Sequence, residues 1–129
     1  MNPEEFMYAV DTQKTVDEAA VAVLREVEKA GWTVFNVYDV SERLSAKGFV
    51  QRPLKIIEIC SGKYANEFLN QNRFVSLCMP CKINVFEMDG KTVIAGMNPV
   101  LVASFFPEIS REQAEPAARD LKAMIDAAK

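Results

Sequence analysis

The chain has no histidine and only three cysteines among its 129 residues. The absence of histidine excludes Ser-His and Cys-His nucleophile pairs and removes imidazole as a metal ligand. An odd number of cysteines, behind an acidic first segment that does not resemble a secretory signal, argues against a disulfide framework. The thiols are therefore expected to be free, to hold a metal, or to form one reversible bridge.

Long apolar runs and clustered positive charge are also missing. No apolar stretch is long enough to cross a bilayer, and the net charge is −3 with the basic residues scattered along the chain. We therefore expect no membrane association and no nucleic-acid partner. A cytoplasmic location is expected as well, and no cofactor is predicted.

Half of the residues are hydrophobic and about a quarter are charged, which is the balance of a globular domain. We predict one domain over residues 1–129. The expected fold class is α+β, with a mixed or antiparallel sheet of about four to five strands. A central β-hairpin is predicted over residues 82–97, with helices packed against the sheet.

The hairpin is predicted from Asp89-Gly90, a pair typical of tight turns that need positive φ. Without a bulge, Met88 faces Lys91, and the register continues outward until Cys81 faces Asn98. Alternation then gives the strand pair two largely apolar faces, which predicts cover on both sides by helices or by a partner subunit. One face is expected to carry Cys81, Ile83, Val85, Ile94, Gly96 and Asn98, and the other Phe86, Val93, Ala95 and Met97.

Helix boundaries are indicated by capping patterns. Capping boxes begin at Thr15 and Ser110, Ser61 is a further N-cap, and Gly31 is expected to end the first long helix. A short helix is predicted to begin at Ser41. Pro116 is expected to kink the last helix or to mark its start.

Other strands are predicted at 6–10, 32–39 and 54–59, the last as an interior strand because both of its faces are apolar. The aromatic residues of the second of these strands, Trp32, Phe35 and Tyr38, are expected to pack in the core.

Several motifs in the middle of the chain resemble those of a bacterial and archaeal family, the domain of unknown function family numbered 302. They are Ile57-Glu58-Ile59-Cys60 before a helix, Pro80-Cys81 before the strand Ile83–Glu87, Asp89-Gly90, and Met97-Asn98-Pro99. The resemblance implies a compact α+β domain that forms dimers, with no assigned reaction. It also implies that Cys60 and Cys81 occupy positions where the family carries cysteine, whereas Cys78 does not match.

A thiol site is the first functional hypothesis. Cys78 and Cys81 are close enough in sequence to form a disulfide, and Cys60 precedes a helix N-terminus, which favours thiolate, although Glu58 opposes it. Cys81 would then act with Cys60 or Cys78 in redox or sulfur chemistry. Against this, Cys81 enters a strand instead of opening a helix.

A second hypothesis is a metal site made by the thiolates of Cys60, Cys78 and Cys81 with an oxygen or water ligand. Zinc sites of this type usually bring four protein ligands as two close pairs, and here one pair and one single residue are available. A cuprous site stays an open alternative, because a cuprous ion accepts fewer soft ligands.

The favoured hypothesis is a dimeric binding or interaction module. Cys60 and Cys81 would be packing residues and Asn98 a helix cap, since buried cysteines and capping asparagines are common. A cleft near Cys60, Cys81 and Asn98 could still bind a small molecule. The segment containing Phe105 and Phe106 is apolar enough that it is either buried or faces another subunit.

Overall fold

The computed structural model describes residues 2–129 and contains one five-stranded sheet with helices packed on it. The strands are β1 (Met7–Thr12), β2 (Thr33–Asp39), β3 (Leu54–Cys60), β4 (Cys81–Met88) and β5 (Lys91–Met97). The helices are α1 (Pro3–Phe6), α2 (Val16–Lys29), α3 (Val40–Ser45), α4 (Gly62–Gln71), α5 (Val102–Phe105) and α6 (Arg111–Ala128). Two 3-10 helices span Arg73–Cys78 and Pro99–Leu101.

All the strand pairs are antiparallel, in the order β1-β5-β4-β3-β2. This confirms the predicted α+β class. The prediction that β3 is an interior strand is also confirmed, because β3 lies between β2 and β4.

The β4–β5 hairpin has the predicted register, with Met88 opposite Lys91. Both turn residues have positive φ, 52° at Asp89 and 75° at Gly90. The paired register ends at Ile83 and Gly96, so the expected pairing of Cys81 with Asn98 is not formed. Cys81 pairs instead with Ile59 of β3.

Helices α2 and α6 cover one face of the sheet and form the main core with it. Ile57, Ile83 and Ile94 are fully buried there, packed with Leu121 and Ile125 of α6. A side chain on Gly96 would place its Cβ only 3.0 Å from Leu121 Cδ2, so glycine lets α6 approach the sheet closely.

The opposite face of the sheet, called here the open face, keeps apolar side chains in solvent. Met7, Met88 and Met97 are 41%, 50% and 39% exposed, and α3 borders this face beside Ile56. Helices α2 and α6 both lie on the same side, so of the two predicted kinds of cover for the open face, cover by a partner subunit stays a prediction.

The capping predictions are mostly confirmed. Thr15 and Glu18 form the reciprocal capping box, and Gly31 has φ +79° after α2. Ser110 caps α6, but Gln113 does not complete the box because its side chain donates to Gln71 of α4.

Two helix starts differ from the prediction. Helix α3 begins one residue early because Asp39, not Ser41, accepts from the first-turn amide of Glu42. Helix α6 begins at Arg111 and continues through Pro116, so that proline does not mark the helix start.

The core prediction holds for Trp32, which is buried, and is wrong for Phe35, which is 59% exposed. The β2–β3 register shifts between Val34 and Asn36, which leaves Phe35 unpaired on an edge strand. The chain's alternation is broken at this bulge, so the aromatic ring turns to solvent.

Within residues 2–129, no helix combines the length and the apolar character needed to span a membrane.

Candidate functional site

An apolar cavity lies at the end of the sheet where β3 ends and β4 begins. Its volume is about 110 Å³. Helix α4, the Arg73–Cys78 helix and the segment after β5 close it from the outside. Its lining residues are Trp32, Ile59, Cys60, Ser61, Tyr64, Ala65, Phe68, Val75, Cys78, Met79, Pro80, Cys81, Lys82, Met97, Pro99, Val102 and Ala117.

The structure brings all three thiols to this cavity. Cys60 ends β3, Cys81 opens β4 opposite Ile59, and Cys78 lies before the cis Met79–Pro80 peptide bond. All three are partly buried and free. The sequence expectation that Cys60 and Cys81 lie near one another therefore agrees with the geometry of the sheet.

The pKa values of Cys60 and Cys81 are both raised. Burial, with a smaller effect of nearby Cys60, raises the pKa of Cys81 to about 11 despite the opposing charge of Lys82. Burial also raises the pKa of Cys60, so the N-terminus of α4 does not prevail there. At neutral pH these two side chains are uncharged thiols.

The thiols do not form a metal cluster. In the part of the chain that the structure describes, no group of three or more His, Cys, Asp or Glu side chains is arranged to hold a metal ion. The three-thiolate hypothesis for Cys60, Cys78 and Cys81 therefore gains no support from this geometry.

Asn98 stands apart from the thiols. Its side chain accepts from Val100 N at 3.1 Å and donates to the Glu5 carbonyl at 3.3 Å, and it borders a separate groove beside Tyr8 and α6. It caps the Pro99–Leu101 helix as predicted. The structure does not bring it into the cavity with Cys60 and Cys81.

One carboxylate, Asp120 of α6, fixes two of the aromatic walls. Trp32 Nε1 and the Tyr64 hydroxyl both donate to Asp120 Oδ2, at 3.2 Å and 3.3 Å. The two rings meet edge to face, with 6.0 Å between their centroids. Burial, together with Asp120, raises the pKa of Tyr64. The wall is thus held by hydrogen bonds as well as by packing.

The sequence predictions did not include Asp120 or Lys82 in the site. Asp120 directly precedes Leu121, a residue of the buried stripe of α6. A carboxylate at the border of such a stripe is usually solvated. The side chains of Trp32 and Tyr64 usually need a hydrogen-bond acceptor when they are buried, and this need indicates that an acceptor lies nearby. It does not identify Asp120 as that acceptor.

A sequence profile described as "Domain of unknown function DUF302" matches residues 8–128 of the chain. The chain belongs to this DUF302 family. A search of the curated proteins found no match.

Among solved structures, the chain is similar to an uncharacterized conserved DUF302 protein from Bacillus stearothermophilus, at 28% identity and a TM-score of 0.89. The match covers 96% of this chain and 98% of that one. Because both chains are covered almost completely, the DUF302 fold includes the α4 and α6 segments that enclose the cavity, and not the sheet alone.

Proposed function

We propose that this DUF302 protein is a binding module that takes a small, largely apolar molecule into the cavity at Cys60, Cys78 and Cys81. The observation that carries the proposal is the cavity itself, about 110 Å³ within apolar, aromatic and thiol side chains. An apolar cavity of about 150 Å³ in another protein stays dry and binds benzene. By this comparison, the cavity accommodates an apolar group of about four carbon atoms.

The state of the thiols supports binding over covalent chemistry. The thiolate is the nucleophile in disulfide exchange, and the raised pKa values of Cys60 and Cys81 keep both side chains protonated at neutral pH. A neutral thiol adds polarizable apolar surface to the cavity wall. The redox hypothesis with Cys81 is therefore the weaker of the two.

Filling the cavity is expected to weaken binding. Ala65 of α4 lines the cavity, so Ala65→Phe places a ring inside it. With 1-pentanol as the probe, loss of burial of two CH₂ groups costs about 1.6 kcal/mol, roughly a tenfold or larger rise in Kd. Chemical-shift titration of ¹⁵N-labelled protein measures the Kd.

The matched control is Asn66→Phe, because Asn66 is exposed on the same helix and does not line the cavity. This variant should bind 1-pentanol as the parent does. Equal loss of binding in both variants, or equal retention in both, would contradict the assignment of the cavity as the site.

We also propose that two copies associate through the open face. The support is the apolar surface there, including Met7, Met88 and Met97, on a sheet whose other face is already covered. Charges of both signs lie on this face, the pair of Asp11 on β1 and Lys91 on β5 among them, so two copies need not repel one another.

Introducing a charge at the centre of the open face is expected to give a monomer. Ala95 lies there between Ala9 and Asn84, and Ala95→Lys would bury an unpaired ammonium in the interface. Light scattering should then report 14.4 kDa, whereas the parent is expected to give twice that mass. Ala123→Lys, on the exposed side of α6, is the control that should stay dimeric; a dimeric Ala95→Lys protein would place the interface elsewhere.

A further inference from the structure

The cavity has one permanently charged side chain on its wall, Lys82. The other lining residues are apolar, aromatic, hydroxyl or thiol side chains within the described chain. Lys82 is exposed, and its ammonium group donates to the Pro80 carbonyl at 3.4 Å. The positive charge therefore stands at the mouth of the cavity, between its apolar interior and solvent.

The ammonium group of Lys82 forms no ion pair within residues 2–129. The ion pairs found there join other residues. Its cross-strand neighbour Glu58 accepts a hydrogen bond from the Tyr38 hydroxyl at 2.7 Å. The ammonium group keeps donors available for a further acceptor, because an ammonium group has three.

The interior beside Lys82 is uncharged. The thiols of Cys60 and Cys81 are protonated at neutral pH, so they place no negative charge next to the mouth. Among the lining residues Lys82 is cationic and none is anionic, since Glu58 and Asp120 do not line the cavity. An apolar chain attached to an anionic group at Lys82 would lie among the side chains of Trp32 and Phe68.

We propose that the ligand is a short aliphatic carboxylate, with its carbon chain in the cavity and its carboxylate on the ammonium group of Lys82. This inference rests on the proposed binding function and names the class of molecule that the site takes. The cavity limits the chain to about four carbon atoms, by comparison with the roughly 150 Å³ that hold benzene.

The test compares pentanoate with pentanamide, which has the same carbon chain and no charge. Both are titrated at pH 7 into the parent protein and into Lys82→Gln, with chemical shifts as the readout. Pentanoate should bind the parent about three to five times more tightly, the upper part of the range of an exposed ion pair. Lys82→Gln should remove this preference and leave the Kd of pentanamide unchanged.

Two controls separate Lys82 from general charge effects. Lys63→Gln removes a neighbouring cation that lies over the Tyr64 ring but does not line the cavity, and it should keep the preference for pentanoate. High salt should reduce the preference in the parent, because exposed ion pairs are screened.

The outcomes distinguish the two proposals. Equal binding of the two probes by the parent, or a preference for pentanoate that survives in Lys82→Gln, overturns the carboxylate inference while the cavity remains a binding site. If neither probe binds the parent, the proposed binding function fails as well.

Discussion

The Ile83→Ala variant is expected to lose about 2–5 kcal/mol of unfolding free energy, a large share of the roughly 5–15 kcal/mol that a domain of this size has. Ile83 is a fully buried residue of β4, the central strand, and its side chain packs in the core with residues of α2 and α6. Truncation removes three carbons from this core and leaves a void, since packed helices relax only partly. Urea denaturation followed by far-UV circular dichroism measures the loss.

Val21→Ala is the control for this prediction. Val21 lies on α2, outside the open face, and is 46% exposed, so its truncation should change the unfolding free energy by only about 0.5 kcal/mol or less. Similar losses in the two variants would show that the Ile83 side chain is not buried beneath α2 and α6 as described.

Alkylation of Cys81 by iodoacetamide is expected to be about 100-fold slower at pH 7 in the folded protein than in urea, because its pKa of about 11 lies about two units above the ordinary value of 9.0. Each unit lowers the thiolate fraction tenfold, and the thiolate is the reacting species. Peptide mass mapping of the alkylated parent protein follows Cys81 separately from Cys60 and Cys78.

The pH profile separates protonation from simple steric protection. The rate for a thiol of raised pKa is half-maximal near pH 11, whereas the rate for a shielded thiol of ordinary pKa is half-maximal near pH 9. A half-maximal rate near pH 9 for Cys81 would therefore contradict the prediction and would restore weight to the redox hypothesis.

The raised pKa of Cys81 also determines how this residue makes the stability of the fold depend on pH. Between about pH 9 and pH 11 the folded chain holds the Cys81 proton that the unfolded chain releases, so stability falls as the pH rises through this window. The contribution is fully present below about pH 9. Comparison with Cys81→Ala over the same range removes the common effect of tyrosine and lysine titration.

Local features of the fold could be predicted because short-range chemistry decides them. Asp89-Gly90 fixes the hairpin through the positive φ of both residues, and Thr15 with Glu18 fixes the start of α2. The bulge at Phe35 could not be predicted, since the residues around it alternate as a regular strand would. Its position depends on pairing with β3, which is a tertiary contact.

The cavity was predictable only in part. Hydrophobic patterning places Cys60 and Cys81 at the ends of strands, and the neighbouring positions of β3 and β4 then bring them together. Asn98 was expected beside them by extending the hairpin register, but the paired register stops at Ile83 and Gly96. Asp120 comes from α6, almost 90 residues after Trp32, and this separation carries no local pattern.

The bulge at Phe35 also changes the edge strand β2 of the sheet. β2 is an outer strand, and such a strand presents unsatisfied backbone groups that a foreign chain can use as a template for fibril growth. The extra residue interrupts the regular spacing of these groups between Val34 and Asn36. With this irregular spacing, β2 is a poorer template for an added strand than a regular edge strand would be, even though Phe35 is exposed.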